Sequence, residues 1–137
     1  MTSLIVPVIR LEAHFSRAGE AIAAAGGQTL ARWLVLETVA DAPAAVAQIA
    51  RRLGLTRQSV QRVADLLEQD RLTQYALNPA HRRSQLVRIT ALGRKTLLTI
   101  QRAQREWANR VGGEIGEAEL RQAGAVVENL TRILKAQ

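Results

Sequence analysis

Residues 46–90, VAQIARRLGLTRQSVQRVADLLEQDRLTQYALNPAHRRSQLVRIT, predict two short helices followed by a basic β-hairpin. In each helix the apolar residues recur at i, i+3, i+4 and i+7, which places them on one face. These residues are Val46, Ile49, Ala50 and Leu53 in the first helix, and Val60, Val63, Ala64 and Leu67 in the second. Gly54 can end the first helix in the left-handed conformation, and Thr56 is a suitable N-cap for the second. This spacing is typical of a helix-turn-helix motif.

The second helix begins with polar side chains that suit a recognition helix. A recognition helix places its N-terminal residues against base edges, where Arg pairs with guanine and Gln pairs with adenine. The candidate DNA-binding residues are Thr56, Arg57, Gln58, Ser59, Gln61 and Arg62, with Thr56 as cap and phosphate contact. The alternative is an ordinary solvated face, which any surface helix shows opposite its apolar stripe.

The hairpin that follows predicts a protruding basic wing. TQYAL at 73–77 and SQLVRIT at 84–90 have strand character, and Asn78-Pro79 between them favours a turn. His81, Arg82 and Arg83 then lie at or near the tip, where the two arginines repel each other unless an anion receives them. We expect them to contact a DNA minor groove or its phosphates. A solvated turn is the alternative.

The runs LGLTRQSVQRVADLLEQDRL (53–72) and NPAHRRSQLVRITALGRKTL (78–97) resemble the MarR family (multiple antibiotic resistance regulators). The wing of that family usually reads Asp-Pro-x-Asp-Arg-Arg and is followed by Thr-x-x-Gly, here Thr90 and Gly93. Asn78 and His81 stand where the family usually has aspartates that can pair with the wing arginines. Because these pairs are missing, the wing is expected to be less rigid than is usual in the family. The resemblance covers about residues 28–100. It implies a mainly α protein with a β-hairpin wing, an obligate homodimer and often a repressor.

The charge is concentrated in the same segment. Residues 46–95 contain ten Arg or Lys and three Asp or Glu, whereas the other 87 residues contain nine of each sign, within a net charge of +7. A neutral scaffold that carries a basic module predicts binding to double-stranded DNA, since much of the affinity comes from counterion release.

The two ends of the chain predict helices that mediate dimerisation. We expect the first helix to begin near Pro7, after an extended apolar arm, and the last near Gly116 with a heptad-like apolar seam. Between them, helices are expected over about 29–40 and from Thr90 toward Val111. The candidate dimerisation residues are Leu4, Ile5, Val8, Leu11, Leu120, Val127, Leu130 and Leu134. The alternative is that the first and last helices pack on each other within one chain.

These patterns predict one domain over residues 1–137. Its winged helix-turn-helix lobe is expected at 29–95, and its dimerisation regions at 1–27 and 97–137. The resemblance further implies release from DNA by a small aromatic or phenolic anion in a crevice near Arg10, His14, Phe15 and Trp33. Trp33 and Phe15 can equally be core residues, and His14 an ordinary surface residue.

The composition excludes several other classes. The chain has no cysteine and only two histidines, His14 and His81, so we expect no metal, no cofactor and no enzymatic activity. It has no long uncharged apolar run and no secretory signal pattern, so a cytoplasmic location is expected. Two rival functions stay open: a sequence-tolerant architectural DNA-binding protein, and a winged-helix module that binds an acidic protein.

Overall fold

The computed structural model describes residues 1–137 as six helices and three short strands. In chain order these are α1 (Thr2–Ala24), α2 (Leu30–Thr38), β1 (Ala44–Ala45), α3 (Val46–Leu53), α4 (Arg57–Gln69), β2 (Thr73–Leu77), β3 (Gln85–Ile89), α5 (Ala91–Gly112) and α6 (Glu117–Lys135). The mainly α fold with a β wing is as predicted. The chain divides into two compact units, residues 1–103 and 104–137.

The helix-turn-helix is built by α3 and α4. Gly54 follows α3 with φ 67° and ψ 31°, and the amide of Leu55 donates to the Ala50 carbonyl at 2.9 Å. Ile49 and Ala50 of α3 are buried, as are Val60, Ala64 and Leu67 of α4. The predicted turn at Gly54 and the cap at Thr56 are therefore confirmed, and the predicted apolar faces point inward, with Val46, Leu53 and Val63 partly buried.

The sheet has three antiparallel strands in the order β1-β3-β2. The hairpin pairs Tyr75 with Val87 and Leu77 with Gln85, while Ala44 of β1 pairs with Val87 from the other side. The sequence prediction contained only the hairpin and missed β1. Because β1 leads directly into α3, the third strand attaches the wing to the first helix of the motif.

The core of residues 1–103 is aliphatic. Val35 and Leu36 of α2, Val39 directly after it, and Leu97 and Ile100 of α5 are all buried. Ile22 and Ala23 add the last part of α1 to this core. Trp33 is also buried, and its indole N–H donates to Glu37 at 3.3 Å.

The start of α1 differs from the prediction. The helix begins at Thr2, and Pro7 lies inside it, so no extended arm precedes the proline. A proline there removes one helical hydrogen bond, the one that would reach the Ser3 carbonyl. The apolar sequence on both sides of Pro7 continues the helix at the cost of that hydrogen bond. The prediction that Pro7 lies in the first turn of the helix was therefore wrong.

Residues 104–137 contain the end of α5 and the whole of α6. Gly116 precedes α6, and its amide donates to Glu119 at 3.3 Å. No residue of α6 is buried.

Candidate nucleic-acid interface

The N-terminus of α4 is held by its own side chains. The Thr56 hydroxyl oxygen accepts from the Ser59 amide at 3.1 Å, and the Ser59 hydroxyl donates to the Thr56 carbonyl at 2.9 Å. Thr56 therefore caps the helix, as predicted, and the hydroxyl of Ser59, a candidate base contact, is bonded to the same residue. Arg57 and Gln58 are exposed beside them. The structure brings Thr56, Arg57, Gln58 and Ser59 together at one exposed helix end, as the sequence predicted.

Gln61, one turn further along α4, belongs to a polar network that joins α4 to β2. Its Nε2 donates to Asp65 Oδ1 at 2.9 Å and to the Tyr75 hydroxyl at 2.8 Å. The Tyr75 hydroxyl in turn donates to Asp65 Oδ1 at 2.5 Å. Glu68 accepts from the Tyr75 backbone amide at 2.8 Å. Side-chain hydrogen bonds therefore fix α4 to strand β2 of the wing, in addition to packing.

The same contacts shift two pKa values. Hydrogen bonds from Tyr75 and then from Gln61 lower the pKa of Asp65. Burial, and secondarily the hydrogen bond to Asp65, raises the pKa of Tyr75 well above its ordinary value. At neutral pH the network therefore contains an ionised carboxylate and a neutral phenol, which is the protonation state that its hydrogen bonds require.

Asn78 organises the turn of the wing. Its Oδ1 accepts from the Ala80 amide at 3.0 Å, and its Nδ2 donates to the Ser84 hydroxyl at 3.0 Å across the turn. The Ser84 amide also donates to the His81 carbonyl at 3.2 Å. The asparagine thus holds the turn without a carboxylate, because its amide supplies both an acceptor and a donor.

The basic side chains of the wing tip are exposed and have no acidic partner. His81, Arg82 and Arg83 are all exposed, and the salt bridges that join Arg32 to Asp70 and Arg121 to Glu117 do not involve them. The three acidic residues of segment 46–95 are bonded elsewhere: Asp65 and Glu68 to Tyr75, and Asp70 to Arg32 at 2.8 Å. None of these three carboxylates is therefore bonded to Arg82 or Arg83.

Open clefts lie on both sides of α4. One, of about 490 Å³, lies between α3, α4 and the wing, and Arg51, Gln61, Tyr75 and Arg83 are among its lining residues. The other, of about 590 Å³, is lined by α4 itself, including Gln58 and Arg62. The sequence reasoning missed Tyr75 and used Arg51 only in the charge count. Tyr75 is the chain's only tyrosine, which was the one signal that could have drawn attention to it.

The candidate effector residues differ in their exposure to solvent. Arg10, His14 and Phe15 are exposed on α1, and His14 Nδ1 lies 2.8 Å from Arg17 Nη2. Trp33 is buried in α2. Glu37, which receives the Trp33 indole N–H, also accepts from Gln101 of α5 at 3.3 Å. An effector crevice at these residues stays a prediction.

The candidate dimerisation residues lie on exposed helical surface. Leu4, Ile5, Val8 and Leu11 are between 45% and 52% exposed on α1. On α6, Leu120, Val127 and Leu134 are exposed and Leu130 is partly exposed.

Two further properties concern metals and membranes. No group of three or more His, Asp or Glu side chains is placed to hold a metal ion. None of the helices combines the length and the apolar character that crossing a bilayer demands.

Comparison with known proteins identifies the family. The sequence model of the MarR family matches residues 27–84, which include α2, α3, α4 and the wing turn. Uncharacterized protein Rv2011c of Mycobacterium tuberculosis is 38% identical over 134 residues, which are 98% of this chain and 94% of that protein. This chain belongs to the MarR family. MarR-family proteins are transcription regulators and not enzymes.

Solved structures share the fold. A MarR-family transcriptional regulator from Rhodococcus sp. RHA1 superposes with a TM-score of 0.86 at 18% identity, covering 94% of this chain and 92% of that one. The M. tuberculosis regulator MOSR in complex with DNA gives 0.73 at 18%, covering 94% and 96%. CouR from Rhodococcus jostii RHA1, bound to p-coumaroyl-CoA, gives 0.81 at 18%, covering 90% and 87%. At these identities the likeness is one of fold.

Proposed function

We propose that this MarR-family chain is a sequence-specific repressor that binds a pseudo-palindromic operator as a homodimer. The observation that carries the proposal is the exposed N-terminus of α4 beside a wing whose arginines have no acidic partner. An α-helix of this kind fits the major groove, and a basic hairpin beside it fits the adjacent minor groove or its phosphates.

Arg57, Gln58 and Arg62 are assigned to base edges, and the hydroxyls of Thr56 and Ser59 to the cap and a phosphate. Arg82 and Arg83 are assigned to the minor groove or phosphates, with His81 beside them. Gln58 is an uncharged, exposed, base-reading side chain, which a purely electrostatic binder would not require. This favours specific recognition over the architectural alternative.

The second copy of the chain is assigned to the exposed apolar surfaces of α1 and α6. Leu4 and Val8 of α1 are about half exposed, and Val127 and Leu134 of α6 are each 60% exposed. Monomeric soluble proteins rarely expose apolar surface repeatedly along whole helices, so a partner that buries it is expected. A two-fold dimer then presents two α4 helices to successive major grooves, ~34 Å apart.

The proposal also includes a small-molecule effector. We assign a small aromatic anion to the surface near Arg10, His14 and Phe15, where an exposed cation and an exposed ring lie on one helix. Binding of this anion is expected to release the dimer from DNA. Calorimetric titration with salicylate tests it: heat of binding together with loss of DNA affinity is expected. No heat and unchanged DNA affinity would contradict the effector alone and leave the operator proposal intact.

The deciding experiment for the main proposal is selection of bound duplexes from a random library at physiological salt. We expect a palindromic motif with half-sites about ten base pairs apart, preferred over a scrambled duplex by ~10³ or more. Equal binding to both duplexes would replace it with the architectural function. No binding to either would replace it with a protein-interaction module.

A further inference from the structure

The cleft between α3, α4 and the wing is lined by basic side chains and by no carboxylate. Arg51 lines it from α3, Tyr75 from β2, and His81 and Arg83 from the turn of the wing. Asp65, whose carboxylate accepts from the Tyr75 hydroxyl, is not among the lining residues. An anion that enters this cleft therefore meets two guanidinium groups and an imidazole, and no side chain of its own charge.

The two arginines of the cleft are not engaged within the protein. Arg51 and Arg83 are both exposed, and neither makes a salt bridge or a hydrogen bond. Other arginines of the same lobe are engaged: Arg32 is paired with Asp70, and Arg94 donates to a backbone carbonyl at 3.0 Å. A guanidinium carries five N–H donors in a fork that matches the oxygens of a phosphate. Both side chains are thus available to bind one.

The neighbouring arginines are placed differently. Arg52 follows Arg51 on α3, and Arg82 precedes Arg83 in the wing, yet neither Arg52 nor Arg82 lines the cleft. The structure therefore divides each pair of adjacent arginines into one member that faces the cleft and one that does not.

The geometry of B-DNA determines what covers this cleft in a complex. With α4 in a major groove and the wing at the adjacent minor groove, a single sugar-phosphate backbone separates the two grooves. That backbone has to cross the surface between α4 and the wing, which is where the cleft opens. The group that arrives there is a phosphodiester anion, which carries no base identity.

We infer that the cleft receives the DNA backbone that separates the two grooves, with Arg51 and Arg83 bound to the same phosphate or to adjacent ones. The inference rests on the proposed function, because it requires α4 to enter a major groove. It adds Arg51 to the DNA-binding residues and assigns Arg83 to a phosphate. Because phosphate contacts fix the orientation of a protein on the duplex without reading sequence, the two arginines position α4 in its groove.

The test replaces single phosphates of the selected operator by neutral methylphosphonates and uses the full-length protein. With the wild type, a substitution in the backbone between the half-site and the flanking minor groove should weaken binding roughly tenfold, the loss of a charge-assisted hydrogen bond. With Arg51→Ala the same substitution should weaken binding by about threefold or less, because the contact is already absent. Arg83→Ala should lose sensitivity at that phosphate or at an adjacent one. Arg51→Lys keeps the charge and should recover most of the sensitivity.

Arg52→Ala and Arg82→Ala are the matched controls, since each removes an adjacent arginine that does not line the cleft. Both should keep the wild-type sensitivity at the phosphate that Arg51 binds. Arg51→Ala should also lower the slope of log affinity against log salt by about 0.9, and equally for the operator and a scrambled duplex. Thermal melting checks that each variant is folded, which is expected for an exposed position of a helix.

The outcomes are distinguishable. Absence of any enriched operator would overturn the proposed function and this inference with it. An enriched operator whose sensitivity to every methylphosphonate is the same for the wild type and Arg51→Ala overturns the inference alone. So does an Arg83→Ala protein that loses sensitivity only at phosphates distant from the one that Arg51 binds, because one cleft cannot hold both. Loss of the same sensitivity in Arg52→Ala would assign the effect to the charge of α3 and would also overturn the inference.

Discussion

Gly93, in the first turn of α5, lies directly against the carbonyl oxygen of Leu72. A Cβ placed on Gly93 would be 2.1 Å from that oxygen and 2.8 Å from Ile89 Cγ1. The same carbonyl accepts from the Thr90 amide and the Thr90 hydroxyl, each at 3.0 Å, and the Gly93 amide donates to the Thr90 hydroxyl at 3.0 Å. Thr90 and Gly93 thus attach the end of the wing to the end of the turn that follows α4.

Gly93→Ala should therefore destabilise the protein by about 3 kcal/mol, the upper end of overpacking costs, because the methyl group meets backbone and not a flexible side chain. Chemical denaturation followed by circular dichroism measures it. Lys95→Ala, an exposed change in the same turn, is the control and should alter stability by no more than ~0.5 kcal/mol. A Gly93→Ala protein as stable as the control would show that the backbone of Leu72 can move away.

The turn between α3 and α4 could be predicted from the sequence because its signals are local. Gly54 and Thr56 mark the end of one helix and the start of the next by their own backbone and side-chain preferences. The wing strands were predictable for the same reason, since their alternation lies within five residues each. β1 was not, because Ala44 and Ala45 have no periodicity to detect and pair only with Val87 and Leu86, more than forty residues away.

For the candidate site, the sequence indicated the residue types but not the side-chain hydrogen bonds between them. Gln61 was correctly placed on the polar face of α4, yet its partner Tyr75 lies fourteen residues away on a strand that had only its backbone pattern to identify it. Pro7 was misplaced for the opposite reason. A local preference for the first helical turn was given more weight than the apolar sequence on both sides of it, which continues the helix through the proline.

Replacing both wing arginines, Arg82→Ala with Arg83→Ala, should weaken binding to all duplexes by a similar factor. Each phosphate contact contributes about 0.9 to the slope of log affinity against log salt, so the double variant should lower that slope by about 2. Titrations at several salt concentrations measure it. Arg102→Ala removes an exposed cation from α5 and should leave the slope unchanged. A double variant with an unchanged slope would mean that the wing does not contact phosphates.

A charge placed on the exposed apolar surface of α6 should break the homodimer. Val127 is 60% exposed in the single chain, and Val127→Glu would bury a carboxylate if a second copy covers it. Sedimentation should show a dimer for the wild type and a monomer for Val127→Glu at micromolar concentration. Gln122→Glu adds the same charge at a polar position of α6 and should remain dimeric. A wild-type protein that sediments as a monomer would remove this part of the proposed function.

In acid, the protein should lose the stability that the ionised carboxylate of Asp65 contributes in the network between α4 and β2. The folded-state pKa of Asp65 is lowered, so its contribution to stability is present above the unfolded-state pKa of ~3.9 and is lost as pH falls through the folded value. Tyr75→Phe removes the larger of the two causes and should raise the pKa of Asp65. Carboxyl titration by NMR measures the change. A titration identical in the variant and the wild type would show that Tyr75 does not bond to Asp65 in solution.

In alkali, the same network should delay the ionisation of the chain's only tyrosine. Burial, and secondarily the hydrogen bond to Asp65, raises the pKa of Tyr75 above its ordinary value near 10. The neutral phenol therefore contributes stability below pH ~10, and that contribution is lost as pH rises toward the folded-state pKa. Because no other tyrosine absorbs, ultraviolet titration reports Tyr75 alone, with a guanidinium-unfolded sample as reference. Asp65→Asn should lower the midpoint toward the ordinary value without reaching it, since burial, the larger cause, remains. A native midpoint equal to that of the unfolded chain would mean that Tyr75 is solvated in solution and cannot hold Gln61.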